Sequence, residues 1–212
     1  MSKSHMARRG VMGFTLIELT VVLAVIVTLA LVLTPSIANF INDARVARAR
    51  NDCQTLANGV FQFYRDTGHF PLWKIALKGG PGLPSNKLQV LVSRGNMPFE
   101  DVPSLWSTGP TGGLVEQLVN NAPGYALKTP TSQFGWNGPY FSTEIVADPW
   151  GNRYMVNIGL IDTSAGATTL SGQQKLAVWV LSAGPNGTLE TPFSQPTTNA
   201  VAGGDDLAVR IQ

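Results

Sequence analysis

The chain has 212 residues, 44% of them hydrophobic and 13% charged, with 15 Lys and Arg against 13 Asp and Glu. That is enough for one membrane span and one modest globular domain. A formal charge of +2 makes no basic surface for nucleic acid, and a single cysteine, Cys53, excludes an intrachain disulfide.

From Phe14 an apolar run reaches Leu33 and ends at Thr34-Pro35. About 20 residues at about 1.5 Å each give roughly 30 Å, the thickness of a hydrocarbon core. Lys3, Arg8 and Arg9 look like the basic region of a secretory signal peptide, with Ser36-Ile37-Ala38 as a weak cleavage site. The apolar region of such a peptide is only roughly 7 to 15 residues long, so the run is too long. A plain single-span anchor fits the hydropathy equally well but leaves Glu18 unexplained. A charged group near a bilayer centre costs roughly 2.5–3.5 kcal/mol on insertion scales, and such residues are as a rule functional.

The segment Gly13-Phe14-Thr15-Leu16-Ile17-Glu18-Leu19, with basic residues just before it and Pro35 about one span later, resembles the N-terminus of type IV pilins and of the pseudopilins of type II secretion. The resemblance implies that a prepilin peptidase cuts between Gly13 and Phe14 and methylates the new N-terminus at Phe14. Residues 1–13 are then a leader, 14–34 a transmembrane and filament-core helix, and 35–212 a periplasmic domain. In a filament the free ammonium of Phe14 pairs with Glu18 of a neighbour, so that each buried charge answers the other. Pro35 corresponds to the family's helix proline, although a simple kink or stop is equally compatible with the physics. Without Lys3, Arg8 and Arg9 the chain keeps 12 basic residues against 13 acidic ones. Arg45, Arg48 and Arg50 lie within about 20 residues of the far end of the span and match the leader's charges, so charge alone leaves orientation a tie. The resemblance places the leader in the cytoplasm and the C-terminal domain outside it.

Past the span, Ile37, Phe40, Ile41, Ala44, Ala47, Cys53, Leu56, Ala57, Val60, Phe61 and Tyr64 recur at steps of three and four. This predicts an amphipathic half, 36–67, continuing the same helix, so that Phe14 to Asp66 form one element. Gly68 supplies its stop, and Phe70-Pro71 prevents continuation. Cys53 sits on the stripe and reads as a small buried hydrophobe rather than a reactive thiol.

Residues 74–135 read as a loop-rich insertion with short helices and apolar clusters at Leu88 to Val92 and Leu114 to Val119. Trp73, Trp106 and Trp136 are expected to cover the core. Gly109 to Gly113 lacks the Lys-Ser/Thr pair that phosphate binding needs and reads as a flexible loop. Strands are predicted at Arg153 to Leu160, Leu176 to Ser182 and Leu207 to Ile211, giving an α+β fold with a small antiparallel sheet.

Trp136-Asn137-Gly138-Pro139-Tyr140 and Asp148-Pro149-Trp150-Gly151-Asn152-Arg153-Tyr154 have the chemistry of tight turns, with Asp148 as a turn cap. After a pilin-like helix they resemble the signatures of the major pseudopilin of type II secretion. That resemblance extends through Ser182-Ala183-Gly184-Pro185-Asn186-Gly187 to Asp205-Asp206 and implies a calcium loop held by Asn186, Asp205 and Asp206. Two departures are visible: Asn186 stands where the family has aspartate, and the gap from Gly187 to Asp205 is long. The alternative is a solvated turn followed by an acidic strand start, since nothing resembles an EF-hand loop.

No HExxH, GxSxG or Walker-type motif points to an enzyme, and His69 reads as a helix-end residue. The resemblance therefore implies a structural subunit of a periplasmic pseudopilus, a single-pass inner-membrane protein until assembly. Its partners are other copies of itself, minor pseudopilins, the peptidase, the assembly platform with its ATPase, and membrane lipid. The alternative is a type IV pilin or related subunit of a surface filament serving motility, adhesion or DNA uptake. Cleavage after Gly13 leaves 199 residues, longer than typical major pseudopilins.

Overall fold

A computed structural model describes residues 13–74, 87–141, 147–161 and 175–212. The leader up to Met12 lies outside the described residues. The chain divides into two compact units, Met1–Ala44 and Arg45–Gln212, and helix α1, Leu16–Thr67, contributes to both.

In the first unit α1 carries a stretch of mean hydropathy 2.9 with none of it buried, long and apolar enough to cross a membrane. Its threonines return their hydroxyls to the helix: Thr20 to the carbonyl of Ile17, Thr28 to Val25 and Thr34 to Ala30, at 2.7 to 2.9 Å. No water is needed to satisfy them, as lipid requires. The helix continues through Pro35, so the proline is not a stop.

In the second unit α1 buries Ala49, Cys53, Leu56, Ala57, Val60 and Phe63. The sequence stripe is corrected at three places. Ala47 is exposed while Ala49 is buried, and Phe61 and Tyr64 are each 44% exposed while Phe63 is fully covered. At 100° per residue Phe63 lies within about 20° of Leu56 and Phe61 about 140° from it, while Tyr64, in the last turn, keeps the side of Val60 and Ala57 but stacks on Phe70 at 4.3 Å and stays 44% exposed. Burying Leu56, Val60 and Phe63 contributes roughly 5–9 kcal/mol. Gly59 leaves room for the ring of Phe141, which any added Cβ would displace. The helix ends where Gly68 takes φ 76° and its amide returns to the carbonyl of Tyr64 at 2.8 Å, the left-handed cap that glycine makes at low cost.

Five short strands form one sheet in the order β2-β1-β3-β4-β5. They are β1 Val90–Val92, β2 Thr111–Gly113, β3 Met155–Val156, β4 Trp179–Ser182 and β5 Leu207–Arg210. The three predicted strand segments contain β3, β4 and β5. The sheet is mixed rather than antiparallel, because β1 pairs in parallel with β2 while the remaining pairs are antiparallel. A crossover through helix α2, Leu105–Thr108, joins β1 to β2 and returns the chain in the same direction, which a tight hairpin cannot do. Residues 74–135 therefore hold structural elements of this unit: β1, α2, β2, helix α3 at Leu114–Leu118, and core side chains Leu88, Leu91, Leu118 and Tyr125. Within the predicted flexible loop 109–113, Thr111–Gly113 is the edge strand β2.

Both sheet faces are covered. Leu91, Val156 and Val180 join the core under α1, while Val90, Met155, Trp179 and Leu181 point the other way, as a period of two demands. That second face is closed by Trp106, Leu189 and Phe193. Trp106 is buried, donates its indole N–H to the carbonyl of Thr191 at 3.0 Å and meets Phe193 edge-on at 5.1 Å. Trp73 and Trp136 are partly buried against the first core. The fold is α+β with a pilin-like layout: a long N-terminal helix followed by a small sheet.

Candidate functional site

Two places carry the residues singled out in the sequence. At the first, Gly13 and Phe14 precede α1 in non-helical backbone, with Phe14 90% exposed and nothing within 4 Å of where a Cβ on Gly13 would stand. Glu18 has partners in its own chain. Its Oε2 accepts the Thr15 amide at 2.9 Å and the Thr15 hydroxyl at 2.8 Å, and the Glu18 amide donates back to Thr15 Oγ1 at 3.3 Å. This is a capping box, in which Thr15 and Glu18 satisfy amides that the first turn of a helix leaves without partners. Thr15-x-x-Glu18 ahead of an apolar run is the sequence signal for it, and the reading of Glu18 as an acid in search of a neighbour passed over it.

The second place is built on β3, β4, β5 and their loops. Asp148 caps the turn that follows it, its Oδ1 accepting the amides of Trp150 at 3.0 Å and Asn152 at 2.8 Å while Gly151 takes φ 93°. Its Oδ2 accepts the hydroxyl of Ser182 at 2.6 Å, and Ser182 Oγ accepts the Gly184 amide at 3.2 Å. One buried carboxylate thus joins the 148–152 turn to the start of the C-terminal loop. The role was legible for the turn and unseen for Ser182, a contact made across 34 residues. Cys53 packs beneath, its thiol on the carbonyl of Leu207 at 3.5 Å, and burial pushes that thiol far above its ordinary pKa, so it stays protonated and inert.

Asn186, Asp205 and Asp206 lie in one loop cluster, joined by Glu190, which sequence reasoning missed. The Asn186 amide N–H donates to Asp205 Oδ2 at 3.1 Å, and Asn186 Oδ1 accepts the Thr188 amide at 2.6 Å. Glu190 Oε2 accepts the Asp205 amide at 3.1 Å and the Asn186 side-chain amide at 3.4 Å. Asp206 Oδ2 accepts the amides of Glu190 and Thr191 at 3.0 and 2.7 Å and the Thr191 hydroxyl at 2.6 Å. Burial raises the Asp206 pKa, against the pull of those donors. Gly204 lies so close under the Glu190 carboxylate that any Cβ would displace it.

The donor set suits a hard cation in part. Asp205 Oδ1 and Asp206 Oδ1 are buried carboxylate oxygens without a hydrogen-bond donor, the condition that costs most without a counter-charge. Among the described residues no three or more acidic, His or Cys side chains are arranged to hold a metal. Any calcium there would draw its remaining ligands from the Asn186 amide oxygen, backbone carbonyls and water, all of which calcium accepts.

No family model, no curated protein and no solved structure matches this chain.

Proposed function

We propose that this chain is a structural subunit of a helical filament of the pseudopilus type: an inner-membrane protein, cleaved between Gly13 and Phe14, whose apolar helix becomes the filament core. The carrying observation is the start of α1. A carboxylate stands on the fifth residue after a glycine-aromatic junction, at the head of a helix apolar enough to cross a membrane. In this reading Phe14 supplies an ammonium after cleavage, and Glu18 of a neighbouring copy meets it, setting the axial step. The domain after residue 35 would lie in the periplasm, and the filament would help move protein cargo through an outer-membrane channel, driven by a cytoplasmic ATPase. Its role would be packing rather than catalysis.

Calcium belongs to the same proposal, with Asp205 and Asp206 offering the free oxygens and Asn186 an amide oxygen. The cation would neutralise the carboxylates of Asp205 and Asp206, each with one buried oxygen, and fix a loop that no disulfide can close. A surface filament remains the second reading, and the single cysteine favours the first, since surface pilins commonly close this loop with a disulfide. Loss of exoprotein release on deletion supports the pseudopilus; loss of twitching or adhesion supports the alternative.

The test is the mature N-terminus. Mass spectrometry should find a chain starting at methylated Phe14, and Gly13→Val should leave an inserted, uncut precursor. An N-terminus at Asn39 would sink the proposal in favour of a secretory signal peptide.

A further inference from the structure

The surface from Met97 to Leu105 exposes four large apolar side chains in nine residues: Met97 at 37%, Phe99 at 63%, Val102 at 78% and Leu105 at 47%. No other described segment of the second unit is so dense in them. The backbone is firmly held. The Phe99 amide donates to the carbonyl of Gly187 at 2.9 Å, the Leu189 amide donates to the carbonyl of Phe99 at 2.8 Å, and Trp106 anchors the adjoining helix from below. The carboxylate of Glu100 accepts the Ser104 amide at 3.0 Å and the Ser104 hydroxyl at 2.7 Å. Apolar groups fixed in water by this many bonds mark a surface built to be covered.

Two clefts of about 360 and 400 Å³ meet on this surface at Glu100. Asp101 and Glu190 also line them, and neither cleft is lined by a Lys or Arg. The occupant must therefore be apolar and carry positive charge. Such a segment exists in α1. Ile37, Phe40 and Ile41 are 56, 78 and 48% exposed, and Arg45, Arg48 and Arg50 follow, all exposed, against Asp43 alone in that stretch. Of the three, Arg48 reaches Asp52 of its own helix at 3.7 Å with 67% of its side chain still exposed.

We propose that the Met97–Leu105 surface seats the Ile37–Arg50 stretch of α1 from a second copy of this chain. The inference rests on the filament reading and deepens it by naming the lateral contact. Phe40 and Ile41 cover the apolar side chains while Arg48 and Arg45, nearest them on the helix, face Glu100 and Asp101; Arg50 lies round the other side. The two surfaces differ, so the contact is heterologous, the head-to-tail kind that a helical filament requires and a two-fold dimer does not use.

The test uses the full chain overproduced with its assembly machinery, carrying Phe40→Cys together with Val102→Cys, both at exposed positions. A short thiol-reactive crosslinker should yield a ladder of dimers, trimers and higher species from pelleted filaments, and neither single variant should ladder. Asp101→Arg should lower pelletable filament by about tenfold or more through like-charge contact, with insertion and processing unchanged. Wild-type filaments without a ladder from the double variant overturn the contact while leaving the filament reading standing. A ladder alongside an unchanged yield from Asp101→Arg overturns the charge argument that chose the occupant. A Val102→Cys crosslink to a different protein, and none to this chain, overturns the second copy as occupant. If the wild type makes no filament at all, the filament reading fails and this contact with it.

Discussion

Asp148 offers the sharpest test of how the C-terminal half is held. Its residue is 5% exposed, and three donors converge on the carboxylate: two turn amides on Oδ1 and the Ser182 hydroxyl on Oδ2. Asp148→Ala removes all three hydrogen bonds and leaves the fully buried Ser182 hydroxyl without an acceptor. Hydrogen bonds to charged groups contribute roughly 1.5–3 kcal/mol each, but the turn amides can recover water, so the expected cost is about 4 kcal/mol. Asp148→Asn should behave differently. Its amide oxygen still serves Trp150 and Asn152, and its NH2 can donate to Ser182 Oγ, which already accepts the Gly184 amide. What is lost is the acceptor for one serine proton and the charge, about 1.5 kcal/mol. Urea unfolding of Arg45–Gln212 followed by tryptophan fluorescence reads both values at constant m. For a domain of this size the alanine variant should melt about 12 °C lower, at about 3 °C per kcal/mol. Equal losses from the two variants, or less than about 1 kcal/mol from alanine, would refute the claim that this carboxylate joins the turn to the loop.

Three further outcomes follow from the same geometry. Glu18→Leu should insert and be cleaved but fail to enter filaments, whereas Glu18→Gln keeps an acceptor for Thr15 and isolates the charge; normal filament yield from both would remove Glu18 as the register element. Asp206 has its pKa raised by burial, so the native state binds its proton more tightly than the unfolded chain, and metal-free stability should fall as pH rises above the ordinary aspartate range. Calcium at about 100 times its Kd should then add about 2.7 kcal/mol at neutral pH, a gain erased in Asp206→Ala; an identical wild-type Tm with calcium and with chelator would exclude the site. Gly68→Ala should cost about 1 kcal/mol in urea, because alanine resists a φ of 76°, and no loss would mean that the cap is not held as described.

The long helix was legible from its local period of three and four, and the later strands because each segment is short and rich in apolar or β-branched residues. The edge of the sheet was not. β1 and β2 are three residues each, and Thr111-Gly112-Gly113 has neither β-branched density nor alternation, so only its register against Val90–Val92 makes it a strand. Phe63 was left off the stripe for a related reason. Phe61, Phe63 and Tyr64 all fit some three- or four-residue step; the angle from Leu56 separates Phe63 from Phe61, whereas Tyr64 is exposed because it stands in the last turn of a helix that ends at Thr67. At the candidate cation site, Asn186, Asp205 and Asp206 were suggested by resemblance, while Glu190 had no signal of its own. Its part comes from a loop closure that lays its carboxylate over Gly204.

The capping box at Thr15 changes how the acid in the span should be understood. A carboxylate entering the membrane is costly mainly because it loses its hydrogen-bonding water, and Thr15 replaces two of those bonds at 2.8 and 2.9 Å within the same chain. The helix N-terminus adds a favourable field for the negative charge. Neither contribution supplies a counter-charge. In the uncut precursor Phe14 is an internal residue and has no ammonium to offer, so Glu18 is hydrogen-bonded yet electrically unanswered. Cleavage between Gly13 and Phe14 would create the positive group beside it and, in the proposed filament, beside the Glu18 of a neighbour. On this account processing does more than free the chain from its leader: it changes the partner available to one carboxylate from a hydroxyl and an amide to a cation. In the proposed filament the uncut precursor would therefore gain nothing electrostatically from assembly, and the mature chain would.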